Sequence, residues 1–129
     1  MTAKPLEISQ TYVALDDSCG ARPLPVTADF WNALRNGQLG PMSRMISFAE
    51  FSSDWPTWEK HPAGEEVVML LDGAVELALE QDGGETRVAL DRPGQYVLVP
   101  ADTWHTARPR RPTRMLFITP GKGTQNRAV

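Results

Sequence analysis

The chain contains two histidines, His61 and His105, and each lies near carboxylates. Glu59 and His61 are two residues apart, so on a strand both side chains point to the same face. Pro62, Ala63 and Gly64 then turn the chain, and Glu66 opens the next apolar segment. His105 begins a later segment, just after Pro100, Ala101 and Asp102. Imidazole with carboxylate is a ligand set for iron, manganese, nickel or zinc. Two histidines and one carboxylate with open positions make the facial triad of non-haem iron sites. Each residue also has a plain reading. The histidines could be hydrogen-bonded core residues, Glu65 rather than Glu66 could point inward, and Glu59 could pair with an arginine such as Arg44.

The elements that would position these residues are short strands. Segments 44–51, 65–71, 74–80, 86–90, 96–99, 104–108 and 115–119 are β-like, and 74–80 alternates apolar and polar, the mark of a strand with one buried face. Asp72-Gly73 and Asp82-Gly83-Gly84 suit tight hairpins, and Pro93-Gly94 and the stretch from Pro109 to Pro112 suit further turns. Such spacing predicts a sandwich or barrel. One helix is predicted over 28–36, capped by Thr27 with Asp29 in its first turn and ended by Gly37. The arm 8–15 can add a strand, and the polar tail 121–129 reads as mobile. By alternation Trp55 shares the face of Glu59 and His61, which makes it a cavity candidate, as is Tyr96. Trp58 and Trp104 then point away. Arg108, Arg110, Arg111 and Arg114 read as a solvated turn, with attraction of an anionic substrate as the lesser alternative. Val67, Met69 and Leu71 face opposite to Glu66, Val68 and Leu70, so this strand is apolar on both sides and must be covered twice. A helix or a second subunit could supply the cover, and a homodimer is the expectation.

Bulk properties narrow the function classes. The 129 residues, 41% of them hydrophobic, suit one domain over 1–129 with a single core. A net charge of −3 argues against nucleic-acid binding, which usually needs a basic surplus. The lone cysteine, Cys19, cannot form an internal disulfide. No segment reaches the roughly 20 apolar residues of a membrane helix, and the first residues lack a signal-peptide pattern. The expectation is a soluble cytoplasmic protein that takes a small molecule, with no nucleic acid and no membrane as partners.

Two stretches together resemble the cupin superfamily. Its first motif, G-x5-H-x-H-x3,4-E-x6-G, is met by His61, Glu66 and Gly73. Its second, G-x5-P-x-G-x2-H-x3-N, is met by Gly94, Pro100 and His105. Ser53, Glu59, Asp102 and Pro109 depart from the two patterns. The resemblance implies an all-β, jelly-roll barrel (a double-stranded β-helix) over about 41–120, after an arm and short helix within 1–40. It also implies a divalent transition metal (Fe, Mn, Ni or Zn) held by His61, Glu66 and His105, with Glu59 in place of the first motif histidine as a fourth ligand. The implied activity is a metal-dependent reaction on a small organic molecule: dioxygenation, isomerisation, decarboxylation or lyase chemistry. The alternatives are a non-enzymatic ligand- or metal-sensing module and a metal-free, epimerase-like cupin, which would want a tyrosine, Tyr96 or Tyr12, in the cavity.

Overall fold

A computed structural model describes residues 3–129. Among them the order of elements is β1 (Thr11–Leu15), β2 (Ala21–Pro25), α1 (Phe30–Arg35), β3 (Arg44–Phe51), β4 (Thr57–Lys60), β5 (Glu66–Gln81), β6 (Gly84–Leu90), β7 (Tyr96–Val99), β8 (His105–Pro120) and β9 (Gln125–Ala128).

Two 16-residue strands, β5 and β8, organise the rest. They run antiparallel from Val67↔Ile118 to Leu79↔His105. The first half of β5 pairs with β7 and its second half with β6. The last half of β8 pairs with β3, which continues to β1 and β2. The beginning of β8 meets β4, which carries β9 on its other edge. Each long strand therefore belongs to two sheets, and the sheets fold over each other as a jelly-roll barrel.

The bend is local. Register shifts fall between Leu70 and Val75 of β5, opposite the Pro109 to Pro112 stretch of β8. The expected turns at Asp72-Gly73 and at Pro109 to Pro112 are thus not turns. They are irregularities within continuous strands, where proline and glycine are tolerated because the ladder is already broken. Gly73 has φ of +100°, and a Cβ there would lie 2.7 Å from the Thr113 Cα and still closer to the Pro112 carbonyl oxygen. The expected hairpin at Asp82-Gly83 does form, with both residues at positive φ.

Alternation fills the barrel. Val68, Leu70, Val75, Leu77, Leu79, Val99, Met115 and Phe117 belong to the buried core. A second cluster of Tyr12, Ala14, Leu24, Phe30 and Met45 lies under α1. The helix starts at Phe30 rather than 28, and Asp29 occupies the cap position with no side-chain capping bond. The backbone instead turns through Phe30 N–H to the Thr27 carbonyl, at 3.1 Å. Segment 121–129 also departs from a mobile tail, because Gln125–Ala128 pairs along β4 and satisfies its free edge.

The outer face of the β7–β5–β8–β3 sheet carries two apolar rows set by register: Leu98, Val67, Ile118 and Ile46, then Tyr96, Met69, Leu116 and Phe48. Helix α1 packs with the Tyr12 cluster, against which Phe48 at the end of the second row also lies. Tyr96 and Leu98 are each 57% exposed.

Gly73→Ala combines left-handed strain with a backbone clash. It should lower unfolding free energy by about 3 kcal/mol, read by urea denaturation. A loss under about 1 kcal/mol would mean the bend can relax around a side chain.

Candidate metal centre

Three segments supply the site. Glu66 opens β5 on the inner face, paired with Val99. His105 opens β8, paired with Leu79 on one side and Glu59 on the other. His61 follows β4, and its carbonyl accepts a hydrogen bond from the Asp102 N–H at 3.0 Å. Glu66 and His105 sit at opposite ends of the β5–β8 ladder, so they meet only because the two sheets face each other across the barrel.

All three are buried: His61 and Glu66 are 4% exposed and His105 is 1% exposed. One ligand atom from each residue fits within a span of 4.8 Å. The His105 Nε2 lies 2.9 Å from Glu66 Oε1, and His61 Nε2 lies 3.3 Å from Glu66 Oε2. The His61 Nε2, His105 Nε2 and Glu66 Oε1 atoms make no hydrogen bond of adequate geometry, despite their proximity.

The outer atoms of the same groups are satisfied. His105 Nδ1 is 3.0 Å from the Thr103 carbonyl oxygen. A carbonyl only accepts, so Nδ1 carries a proton, and whenever the ring is neutral its Nε2 lone pair faces Glu66. His61 Nδ1 is 2.9 Å from Thr124 Oγ1. Thr119 donates to Glu66 Oε2 at 2.6 Å. Bonds of this kind fix ring orientation and ligand basicity around metals.

The electrostatics follow from this packing. Burial raises the Glu66 pKa, but the close approach and charge of His105 and His61 outweigh it and hold the carboxyl at about 2. For His105, burial disfavours the cation, and Glu66 more than offsets that, so the pKa is raised. Burial also raises the Glu59 pKa, with repulsion from Glu66 adding to it.

Glu59 stands at the edge of the group. Its carboxylate is 4.0 Å from His61 Nε2, and its side chain is 31% exposed. It marks the solvent side of the site. Trp55 lies inside the barrel wall, its ring 5.7 Å from that of Phe51 and 5.8 Å from that of Phe117. Tyr96 is not a cavity residue. The inward positions of β7 belong to Val97 and Val99, so Tyr96 points out with Leu98. The arginines of β8 are matched by local partners: Arg108 with Glu85, Arg110 with Glu76, Arg114 with Glu50, and Arg111 with the Gly73 carbonyl. They lie along a strand rather than in a turn, and this pairing leaves little to recruit an anion.

No protein-family model and no curated protein matches the sequence. Solved structures do. A cupin-2 domain protein from Shewanella frigidimarina aligns over 64% of this chain and 76% of its own, at 17% identity and a TM-score of 0.51. The fold is that of a cupin. A hydroquinone 1,2-dioxygenase from Sphingomonas sp., with 4-hydroxybenzoate bound, aligns over 62% of this chain at 20% identity and a TM-score of 0.50. Oxalate decarboxylase of Bacillus subtilis, with Mn(II) centres, aligns over 67% at 14% identity and a TM-score of 0.54. The match spans 60% of the dioxygenase chain and 24% of the decarboxylase chain. Within this cupin barrel the motif residues His61, Glu66 and His105 come together. Thr103, Thr119 and Thr124 had no sequence signal beyond lying next to, or in register with, the ligand candidates.

These shifts set a pH profile for metal-stripped protein. Glu66, lowered from 4.5 to about 2, adds stability above pH 4.5 that is lost as pH falls toward 2, on the order of 3 kcal/mol. His105, raised above 6.5, adds stability below that pH, lost as pH rises through its folded value. Glu59, raised above 4.5, also costs stability as it ionises with rising pH. Melting temperature in the presence of chelator should fall below about pH 4.5 and above about pH 6.5. A curve that rises steadily from pH 6.5 to 9 would contradict the linkage.

Proposed function

We propose that this cupin holds a divalent first-row metal on His61, Glu66 and His105 and uses it in a reaction on a small organic molecule in the barrel. One observation carries the reading: three buried polar atoms, His61 Nε2, His105 Nε2 and Glu66 Oε1, face one another without a hydrogen bond of adequate geometry. Acceptors repel unless a cation lies among them, and imidazole with carboxylate suits iron, manganese, nickel and zinc alike. When bound, the metal supplies Lewis acidity toward a substrate oxygen or an open position for a small ligand.

The chain's own residues do the rest. Glu66 contributes charge, the two imidazoles contribute neutral nitrogen donors, and Thr119, Thr103 and Thr124 hold them in place. Glu59, beside the triad and open to solvent, serves as a fourth ligand or as the group that meets substrate. Trp55 and the aliphatic core wall the barrel and limit entry of water. The dioxygenase and the decarboxylase similar in fold support chemistry on a small aromatic or carboxylic substrate without choosing between them. The epimerase-like reading lacks support, because Tyr96 points outward and the Tyr12 hydroxyl is bonded to the Phe48 carbonyl at 2.8 Å. A sensor without turnover would use the same metal site. Product formation from a bound substrate separates the two.

The assembly is proposed to be a homodimer through the outer apolar rows of β3, β8, β5 and β7. A second copy fits because the Arg114–Glu50 pair beside Phe48 gives the face a rim of both charge signs, as a self-complementary two-fold contact requires. No helix among the described residues is long and apolar enough to cross a membrane. A cytoplasmic location remains the proposal.

Iron(II), manganese, nickel or zinc should raise the melting temperature of stripped protein. At a hundredfold excess over Kd the gain is about 2.7 kcal/mol. It should fade as pH falls through the His105 pKa, which Glu66 raises above 6.5, because protons compete for the imidazole. His105→Ala should abolish most of it, and Glu59→His should enlarge it. No shift in the parent with a shift in Glu59→His would mean that this chain has lost its metal. For the assembly, sedimentation at micromolar concentration should report twice the mass of one chain, and Met69→Lys should report one. A monomeric parent would overturn the dimer.

A further inference from the structure

Segment 121–128 approaches the site from its solvent side. Strand β9 pairs with β4 in the register Lys60↔Gln125 and Glu59↔Asn126. Continued by one position, that register sets Thr124 against His61, where Oγ1 reaches Nδ1 at 2.9 Å. Side chains alternate across the strand, so Asn126 lies on the face of Glu59 while Arg127 lies on the opposite face with Trp58.

That outer face holds the segment down. The Arg127 guanidinium lies 4.6 Å from the Trp104 ring centroid and 5.4 Å from that of Trp58, and it pairs with Glu80. Cation–π contacts of this kind are individually modest and add to the ion pair. Trp104 directly precedes His105, and Trp58 directly precedes Glu59. The clamp thus grips the two strands that carry the site residues.

We propose that segment 121–128 is a strap that completes the metal site, with Thr124 as the positioning residue for His61 and Arg127 as its clamp. The proposal rests on the metal reading of His61, Glu66 and His105. The His105 tautomer is fixed by a backbone carbonyl, which cannot move without the strand. His61 relies on a hydroxyl from the residue just before a four-residue edge strand with no buried residue. A one-residue slip of β9 would turn Thr124 to the outside. Free from the strap, the His61 ring can rotate, and Nε2 is no longer held toward Glu66 and His105. By linkage, a strap that favours metal must itself be held by metal, by the same factor.

Cobalt(II) affinity, by chelator competition, and trypsin cleavage after Lys122 test both directions on the full chain. Thr124→Val should weaken cobalt binding 10–100-fold, the usual cost of losing an outer-shell partner. Thr124→Ser should restore affinity to within about threefold, which a loss of folding would not allow. Arg127→Ala should weaken binding less than Thr124→Val and speed cleavage. Cobalt should slow cleavage in the parent at least severalfold, and less so in Thr124→Val. If the parent binds cobalt, His105→Ala abolishes binding, and Thr124→Val binds as the parent does, the strap is overturned while the metal reading stands. If the parent itself binds no cobalt, the metal reading falls and the strap with it.

Discussion

Two imidazole nitrogens and a carboxylate oxygen, all acceptors when the rings are neutral and protonated on Nδ1, share a space of 4.8 Å that is closed to solvent. Left alone they repel, and burying unpartnered polar atoms costs about 1–3 kcal/mol each. A proton can relieve part of this, which is why His105 is shifted toward its charged form while Glu66 is shifted toward its anion. A divalent cation relieves all three atoms at once. Much of the surrounding structure answers to that constraint: Thr119 orients the carboxylate, and Thr103 and Thr124 occupy the outer imidazole nitrogens.

The barrel brings the group together at long range. Glu66 and His105 lie near opposite ends of the β5–β8 ladder and become neighbours only when the long strands bend and the sheets close. Gly73 and the irregular pairing opposite Pro109 and Pro112 localise that bend. The aliphatic interior from Val68 to Phe117 holds the sheets at their separation. The site therefore depends on the core, and the core tolerates its polar members because Thr103, Thr119 and Thr124 satisfy their outer atoms.

Much of this was legible in the sequence, because His61, Glu66 and His105 stand where the two cupin motifs that the chain resembles place their ligands. Strand faces followed from alternation at period two, including the doubly apolar β5, while the choice of Glu66 over Glu65 as the inward residue came from the motif spacing to Gly73. The misreadings have separate causes. Asp72-Gly73 and Pro109 to Pro112 carry turn chemistry, yet each lies within a long strand, because a bulge asks for the same residues as a hairpin. Tyr96 was placed inward because an aromatic in a strand suggests filling, whereas Val97 and Val99 take the inward positions. Strand β9 has no apolar alternation, since its stability comes from the β4 edge and the Arg127 clamp. Thr27 and Asp29 suggested a cap, and the backbone made a turn there instead.

Anomalous diffraction from a crystal soaked with zinc or manganese, collected at the metal edge, measures the central claim directly. A single peak should lie among His61 Nε2, Glu66 Oε1 and His105 Nε2, about 2.0–2.2 Å from each. It should vanish in His105→Ala crystals soaked alike. A metal found elsewhere, with His105 Nε2 hydrogen-bonded to Glu66 in its place, would show that the three buried groups are held together by a proton.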